Sequence, residues 1–338
     1  MRSSAKAAWA AGCTVALALG AAAPAATAAS PQGESNLLSN VLRQGILRVT
    51  VVSGRMILSG SRGSNHTGTA TVGGRKEQFS IGGSAANPVV SFQSDAPDSL
   101  LRIGFNGTSR LEISRTPKAG SSVVPIEFQQ APGEPVLLKV GALGKERVYR
   151  GESLWHLALA EPTVFRDHLA PWLKMLHRDW DPQQAASEIE QALVRLASER
   201  EQPNRQQWAQ WVRQLGDPEF SVREKADRQL RQAGWSAAGY LERLDAGQLD
   251  AEQRYRIRRI VQSFSATGQD SSEQIAAWLS GEPAVWLALL ARDAEPTRRA
   301  ALGQLEAILG SRVAFDPAAA ATVRAKQIEE LRAQVLPK

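Results

Sequence analysis

Three histidines, His156, His168 and His177, fall in a short stretch that also holds Glu161, Asp167, Asp179 and Asp181. Imidazoles and carboxylates are the usual ligands of a catalytic zinc, and the same groups serve as general acids and bases. Their spacing argues against one shared ion. His168 and His177 are nine residues apart, which puts them on opposite faces of an unbroken helix. Only a kink at Pro171 would bring them together. A pair of carboxylates for glycoside hydrolysis need not be close in sequence, so that chemistry stays open, but no pair stands out.

Other signatures are missing. There is no G-x-S-x-G, and the one S-x-x-K runs from Ser3 to Lys6. No HExxH, calcium-loop or GxxxxGK[ST] string occurs; the nearest glycine string, Gly141–Lys145, reads as a connection between strands. The single cysteine, Cys13, lies in an apolar N-terminal segment, which leaves the rest of the chain without disulfides, thiol nucleophiles or Cys-bound zinc. The sequence implies no metal and no cofactor.

Several kinds of element must carry these residues. Arg2 and Lys6, the small apolar run Ala7–Ala23 and the A-x-A site Ala26-Thr27-Ala28 read as a signal peptide over 1–29. The expected destination is the periplasm or cell surface, with no transmembrane helix once the leader is removed. Residues 40–151 alternate with period two, as in Leu47/Val49/Val51, Leu101/Ile103/Phe105, Leu111/Ile113, Val124/Ile126/Phe128 and Val136/Leu138/Val140. Asn106-Gly107, Gly73-Gly74 and Ser53-Gly54 read as tight hairpin turns, while Gly60–Gly68 and Gly82–Asn87 read as loops. The expectation is an antiparallel meander, closed as a barrel or folded as a sandwich.

From residue 152 to 338 the pattern is helical, and all eight tryptophans beyond Trp9 lie there. Seven fall on apolar faces; Trp180, between Asp179 and Asp181, is the one expected at the surface. Asp181-Pro182 has the form of a helix start. Residues 31–151 carry 14 Lys/Arg against 8 Asp/Glu, and residues 152–338 carry 24 against 26, so the high pI of about 9.7 belongs to the sheet half. A basic sheet suits an anionic wall polymer, a membrane surface or an acidic partner. Arg254, Arg256, Arg258 and Arg259 form the densest basic cluster, but an acidic helical half argues against nucleic acid.

Residues 215–234 form the most regular unit. Gly216 is placed to end one helix in the left-handed conformation, Asp217 to cap the next and Pro218 to open it. Val222, Ala226, Leu230 and Ala233 share one face. Glu219–Arg223, Glu224–Arg228 and Asp227–Arg231 are spaced as i,i+4 pairs, and Gly234 ends the helix. This pattern, LGDPxxxVRxxAxxxLxxxG, resembles the second half of a HEAT-like repeat of the kind named in phycobilisome lyases. Weaker echoes begin at Leu249 and Leu290, and Asp217 and Asp293 are separated by about two ~40-residue periods. The resemblance implies stacked helix pairs, with Asp217 and Arg223 joining neighbouring units. It does not carry over the lyase activity.

The fold expected is therefore α+β: an antiparallel sheet over 40–151 and an all-α, HEAT-like region over 152–338. The expected role is an exported, non-catalytic interaction or scaffolding module that meets another envelope protein or a cell-wall polymer. The alternatives are an envelope hydrolase with its site near residues 152–181 and a carbohydrate-binding sheet carried on a helical spacer.

Overall fold

The structure, a computed structural model, describes residues 36–61, 65–84, 86–177, 179–198, 205–265 and 269–335. The expected signal peptide lies outside the described residues. Two antiparallel sheets come first. β1 (Leu47–Val52) and β2 (Arg55–Ser61) form a hairpin. β3 (His66–Val72), β4 (Arg75–Gly83), β5 (Pro88–Asp95), β6 (Ser99–Asn106), β7 (Arg110–Pro117), β8 (Ile126–Gln130), β9 (Val136–Val140) and β10 (Arg147–Gly151) form one eight-stranded meander, each strand beside its chain neighbour. β3 and β10 stay as open edges, so the barrel option fails and a sandwich-like arrangement of hairpin and sheet remains.

Period-two alternation gives this sheet a dry face. One apolar row crosses seven strands, through Phe79, Phe92, Ile103, Ile113, Phe128, Leu138 and Tyr149, each directly opposite the next. Such cross-strand pairs are what stabilise a sheet. A second row, Ile81, Val90, Phe105 and Leu111, ends on the buried Gln130. The Gln130 amide accepts from Met56 N (2.9 Å) and donates to Met56 O (2.8 Å) and Ser109 O (2.8 Å). It thereby stands in for a neighbouring strand and ties the hairpin to the dry side.

The turns are set by backbone sterics. Ser53 and Gly54 both have positive φ (51° and 66°), as do Gly73 and Gly74 (56° and 75°), which suits two-residue hairpins. The β6–β7 turn differs from expectation. Asn106 pairs with Arg110, leaving the three-residue loop Gly107-Thr108-Ser109, in which only Gly107 has positive φ. Both expected loops are partly strand: β2 and β3 take the ends of 60–68, and β4 runs to Gly83.

Helix α1 (Asn36–Arg43) precedes the sheet and went unread in the sequence. It packs on β3 and β4, and its Leu37 N–H donates to the buried Glu77 (3.0 Å). After β10 come twelve α-helices among the described residues, α2 to α13. The change of texture falls at Gly151 as expected, but the dry core is not divided there. Sheet, hairpin and α1 share one apolar cluster with α2 (Leu154–Ala160), α4 (Ala170–Leu176), α5 (Pro182–Ser198), α10 (Ser272–Leu279), α11 (Pro283–Leu289), α12 (Glu295–Leu309) and α13 (Ala321–Val335). An open sheet with one dry face needs a cover, and these helices supply it. A second cluster belongs to α6 (Arg205–Gln214), α7 (Phe220–Gln232), α8 (Gly234–Glu242) and α9 (Ala251–Ser265).

A π-helical turn, Phe165–Leu169, joins α3 (Pro162–Val164) to α4. Pro171 lacks the N–H that would close an α-turn on Asp167, and the wider turn before it accommodates the loss. At Asp181-Pro182 the expected start is realised: Asp181 Oδ1 accepts from Gln183 N (2.9 Å) and Gln184 N (3.1 Å).

The 215–234 unit is helix–turn–helix, with corrections. α7 begins at Phe220, and Asp217 Oδ1 accepts from Glu219 N (2.8 Å) in a side-chain turn, so Pro218 lies ahead of the helix. Gly216 does not have positive φ; a Cβ there would lie 2.3 Å from Asp250 Oδ2, so the need for glycine is one of space. Val222 is half-buried, Ala226 and Leu230 fully buried, and Gly234 (φ 74°) separates α7 from α8. Of the three expected i,i+4 pairs only Asp227–Arg231 (2.6 Å) forms among the described residues. Glu224 instead reaches Arg256 of α9 (2.7 Å).

Arg223 takes part in a recurring device. In α7, α9, α12 and α13 the fourth helical residue is an arginine, and its Nη1 donates to the carbonyl five residues earlier. The pairs are Arg223 with Pro218 (2.9 Å), Arg254 with Leu249 (2.5 Å), Arg298 with Asp293 (2.5 Å) and Arg324 with Ala319 (2.6 Å). A cation at a helix N-terminus opposes the dipole; bonding a turn carbonyl that lacks a helical partner compensates. Arg298 is the buried member and also holds Arg292 O and Pro317 O. Replacing it with lysine removes the planar fork and leaves buried carbonyls bare, at an expected cost of about 2–3 kcal/mol. The same change at exposed Arg254 should cost only about 0.5 kcal/mol. Urea unfolding of R298K and R254K measures the difference, and equal midpoints would refute the assignment.

Candidate functional site

The residues singled out for chemistry meet the helical layers around α2, but as separate groups. Ser153 precedes α2 and His156 lies one turn into it. His156 Nε2–H donates to Glu282 Oε2 (2.5 Å), a residue at the start of α11, and in the neutral ring Nδ1 accepts from Ser153 Oγ (2.9 Å). Trp278 packs edge-on against the imidazole (5.7 Å between ring centres). Glu282 also pairs with Arg243, which follows the last residue of α8 and donates to Trp278 O (2.9 Å), and Glu242 accepts from Trp278 Nε1 (2.6 Å). A hydroxyl, an imidazole and a carboxylate in series are the residue types of a nucleophilic relay. Here Ser153 is 1% exposed and its Oγ lies against the β1–β2 turn, where a Cβ on Gly54 would be 2.6 Å away. The hydroxyl has no approach for a substrate.

Electrostatics fit a structural network. Burial alone would raise the Glu282 carboxyl, but His156 and Arg243 together hold it below its ordinary value. Burial raises Glu242, against the Trp278 hydrogen bond and the Arg243 charge.

A second polar centre adjoins the first. Asp270, ahead of α10, accepts from Ser53 N (2.6 Å), Gly54 N (2.7 Å) and Trp155 Nε1 (2.8 Å), while its own N–H donates to Val51 O (2.9 Å). Burial raises its carboxyl, and the three donors act in the opposite sense. Beside it is a cavity of about 10 Å³ lined by Trp155, Trp180, Ile189 and Ser272 among others, about the size of one water. Another of about 20 Å³ lies among Arg205, Trp208, Ser236 and Gln304.

The remaining histidines are dispersed. His168 sits in the π-turn, half-buried near Arg115; burial lowers its pKa, Asp167 raises it and Arg115 lowers it further. His177 packs on Trp180 (5.7 Å) beyond the end of α4. Asp167 pairs with Arg166, Asp181 caps α5, Asp179 is exposed, and Glu161 is raised by burial with Arg332 opposing. Among the described residues no three His, Cys, Asp or Glu gather as metal ligands. Trp180 is not exposed as expected; it packs edge-on against Trp155 (5.9 Å). The basic cluster is also divided: Arg256 is buried among Glu224, Glu252 and Asp227, Arg254 holds backbone, and Arg258 and Arg259 face solvent.

No protein-family model, curated protein or solved structure matches the chain. Nothing in the comparisons or in this geometry shows a catalytic function. No helix among the described residues is long and apolar enough to cross a membrane.

Asp270 and Glu282 went unread because their partners are distant in sequence. The one local signal was the capping box Ser271/Gln274, which marks the start of α10 directly after Asp270. The two carboxylates should respond oppositely to pH. Glu282, held low, contributes stability that is present above the ordinary glutamate pKa and lost as pH falls through its folded value. Asp270, held high, disfavours the folded state when ionised, so its contribution improves as pH falls. The destabilisation caused by Glu282→Gln should therefore be largest near neutrality and shrink in acid. Asp270→Ala orphans three N–H donors and should cost about 2–4 kcal/mol. Urea midpoints across a pH series measure both; an E282Q penalty that grows in acid would refute the first statement.

Proposed function

We propose that this chain is an exported, non-catalytic interaction module of the cell envelope, acting as a scaffold through its stacked helices. The carrying observation is where the chain uses its polar groups. At the sheet–helix junction Ser153, His156, Glu282, Arg243 and Asp270 bond one another, backbone or Trp155, beside a cavity of only about 10 Å³. On the helical surface, by contrast, the large aromatic side chains Phe220 and Tyr255 are 63% and 54% exposed. The recurring arginine in α7, α9, α12 and α13 supports reading these helices as variants of one repeated, HEAT-like unit. Export rests on the leader-like sequence at 1–29.

The carbohydrate-binding alternative is weakened by the sheet's aromatics. Phe79, Phe92, Phe105 and Phe128 all lie on the dry face, which leaves no phenylalanine among them to stack on a sugar. The hydrolase alternative needs Asp, Glu or His side chains converging at the junction, where His156 is engaged by Ser153 and Glu282 while His168 and His177 sit in separate surroundings.

Because sheet and helices share a core, the test uses the whole chain. Cross-linking of the purified protein in envelope extract should yield one saturable complex with another envelope protein. Incubation with cell-wall material should release no fragments. Turnover that disappears in His156→Asn, with the fold intact by circular dichroism, would overturn the reading in favour of a hydrolase.

A further inference from the structure

α7 and α9 lie side by side and run in the same direction, since Arg223 meets Glu252 near their starts and Arg231 meets Ser263 near their ends. The seam between them is closed by ion pairs: Arg256 reaches Glu224 (2.7 Å) and Glu252 (2.6 Å), and Asp227 holds Arg231 (2.6 Å). Every carboxylate of the two helices is thus engaged within the seam. The cations are in excess. Lys225, Arg228, Arg258 and Arg259 are exposed, and none has a carboxylate within salt-bridge distance among the described residues. Arg228 lies one turn beyond Glu224 on α7, and Arg259 one turn beyond Tyr255 on α9, with Glu224 bridged to α9 by Arg256. Phe220 and Tyr255, under Arg223 (5.6 Å) and Arg259 (5.7 Å), add exposed apolar area to the same two helices.

We infer that the outer face of α7 and α9 is a docking surface for a short acidic polypeptide segment carrying apolar residues, a partner class that rests on the interaction-module reading. Charge complementarity gives the sign: surplus guanidinium groups, exposed and preorganised as planar forks, match carboxylates. Aromatics beside arginines are the residue types that dominate binding energy at protein interfaces. The length of the face sets the scale. Phe220 to Arg228 spans about 12 Å of helix axis, enough for a few residues of a partner and little more. A long polyanion would run past the patch onto a helical half in which Asp and Glu outnumber Lys and Arg by 26 to 24. That favours a short acidic segment over nucleic acid or an anionic wall polymer.

The test is fluorescence anisotropy of the full chain with a labelled acidic peptide rich in Asp and Glu and containing one Leu and one Phe. A Lys-for-Asp/Glu peptide and heparin serve as comparisons. Binding of the acidic peptide alone is expected, weakening as salt rises. Arg228→Glu/Arg259→Glu and, separately, Phe220→Ser/Tyr255→Ser should each weaken it by about tenfold or more. All four side chains are exposed, so the variants should keep the wild-type urea midpoint. Tighter binding of heparin, with no effect of the aromatic pair, would overturn the inference in favour of a polyanion site. Loss of self-association on sedimentation of the variants, without peptide binding by the wild type, would overturn it in favour of a second copy. If the cross-linked envelope partner is retained equally by wild type and both variants, this surface is wrong while the interaction-module reading stands. If no partner is retained by any form, that reading fails as well.

Discussion

A buried carboxylate that meets three N–H donors and no cation joins the two kinds of structure in this molecule. Asp270 receives both N–H groups of the β1–β2 turn and the indole N–H of Trp155. An ionised group this far from water is costly, and the three charge-assisted hydrogen bonds are what make it tolerable. The turn bears a cost as well. Ser53 holds a positive φ without being glycine, roughly 1 kcal/mol of strain, and Gly54 can have no side chain because Ser153 and Trp155 fill the space. The hairpin tip is thus shaped to present two donors to a residue more than two hundred positions away. Its far strand is fixed in a similar way, by the Gln130 amide on Met56. With both contacts made, the hairpin has one position on the dry face of the sheet, and α2 follows from β10 in the orientation that seats Trp155 beside Asp270.

The Ser153–His156–Glu282–Arg243 chain reads differently against this background. It lies next to the Asp270 contact, and its members come from the start of α2, the end of α8 and the start of α11. Ser153, His156 and Glu282 bring polar groups that would otherwise be buried without a partner where three layers meet, and Arg243 closes the chain from the more exposed side. A relay for catalysis needs its nucleophile open to a substrate, whereas this one has its hydroxyl against a backbone turn. The same residue types therefore do the work of a joint, aligning α8 and α11 on α2 through directional bonds that apolar packing alone would not specify.

Much of the architecture was legible in the residues. Alternation at Leu101, Ile103 and Phe105 or at Leu111 and Ile113 fixes which face is dry, because a one-residue slip would expose every large side chain. Tight turns at Ser53-Gly54 and Gly73-Gly74 allow only antiparallel neighbours, and Asp181-Pro182 caps a helix from purely local chemistry. What failed to read is non-local. Nothing in the alternation says whether eight strands close or stay open, since closure depends on what covers the dry face, and that cover includes helices from the far end of the chain. Gly216 looked like a left-handed helix end because glycine often is; the reason for it, Asp250 at close range, belongs to the next helix pair. Arg223 looked like an i,i+4 partner of Glu219, yet its guanidinium donates to the carbonyls of Asp217 and Pro218 instead. The periodic device formed by Arg223, Arg254, Arg298 and Arg324 was hidden because its spacing is irregular, at 31, 44 and 26 residues, while the helical position it occupies is constant.

Charge is used in two different ways in this molecule. Inside, carboxylates and cations are matched, or carboxylates are matched to N–H donors, so that the junction can be dry. On α7 and α9 the matching is uneven: Glu224 and Glu252 bridge the two helices through Arg256, and Arg228, Arg258 and Arg259 remain exposed on the same helices as Phe220 and Tyr255. The cations of these two helices outnumber their carboxylates, so a positive surplus remains at the surface beside two exposed rings. The histidines that first suggested a reaction are dispersed, and the one at the junction, His156, is engaged by Ser153 and Glu282 where the helical layers meet.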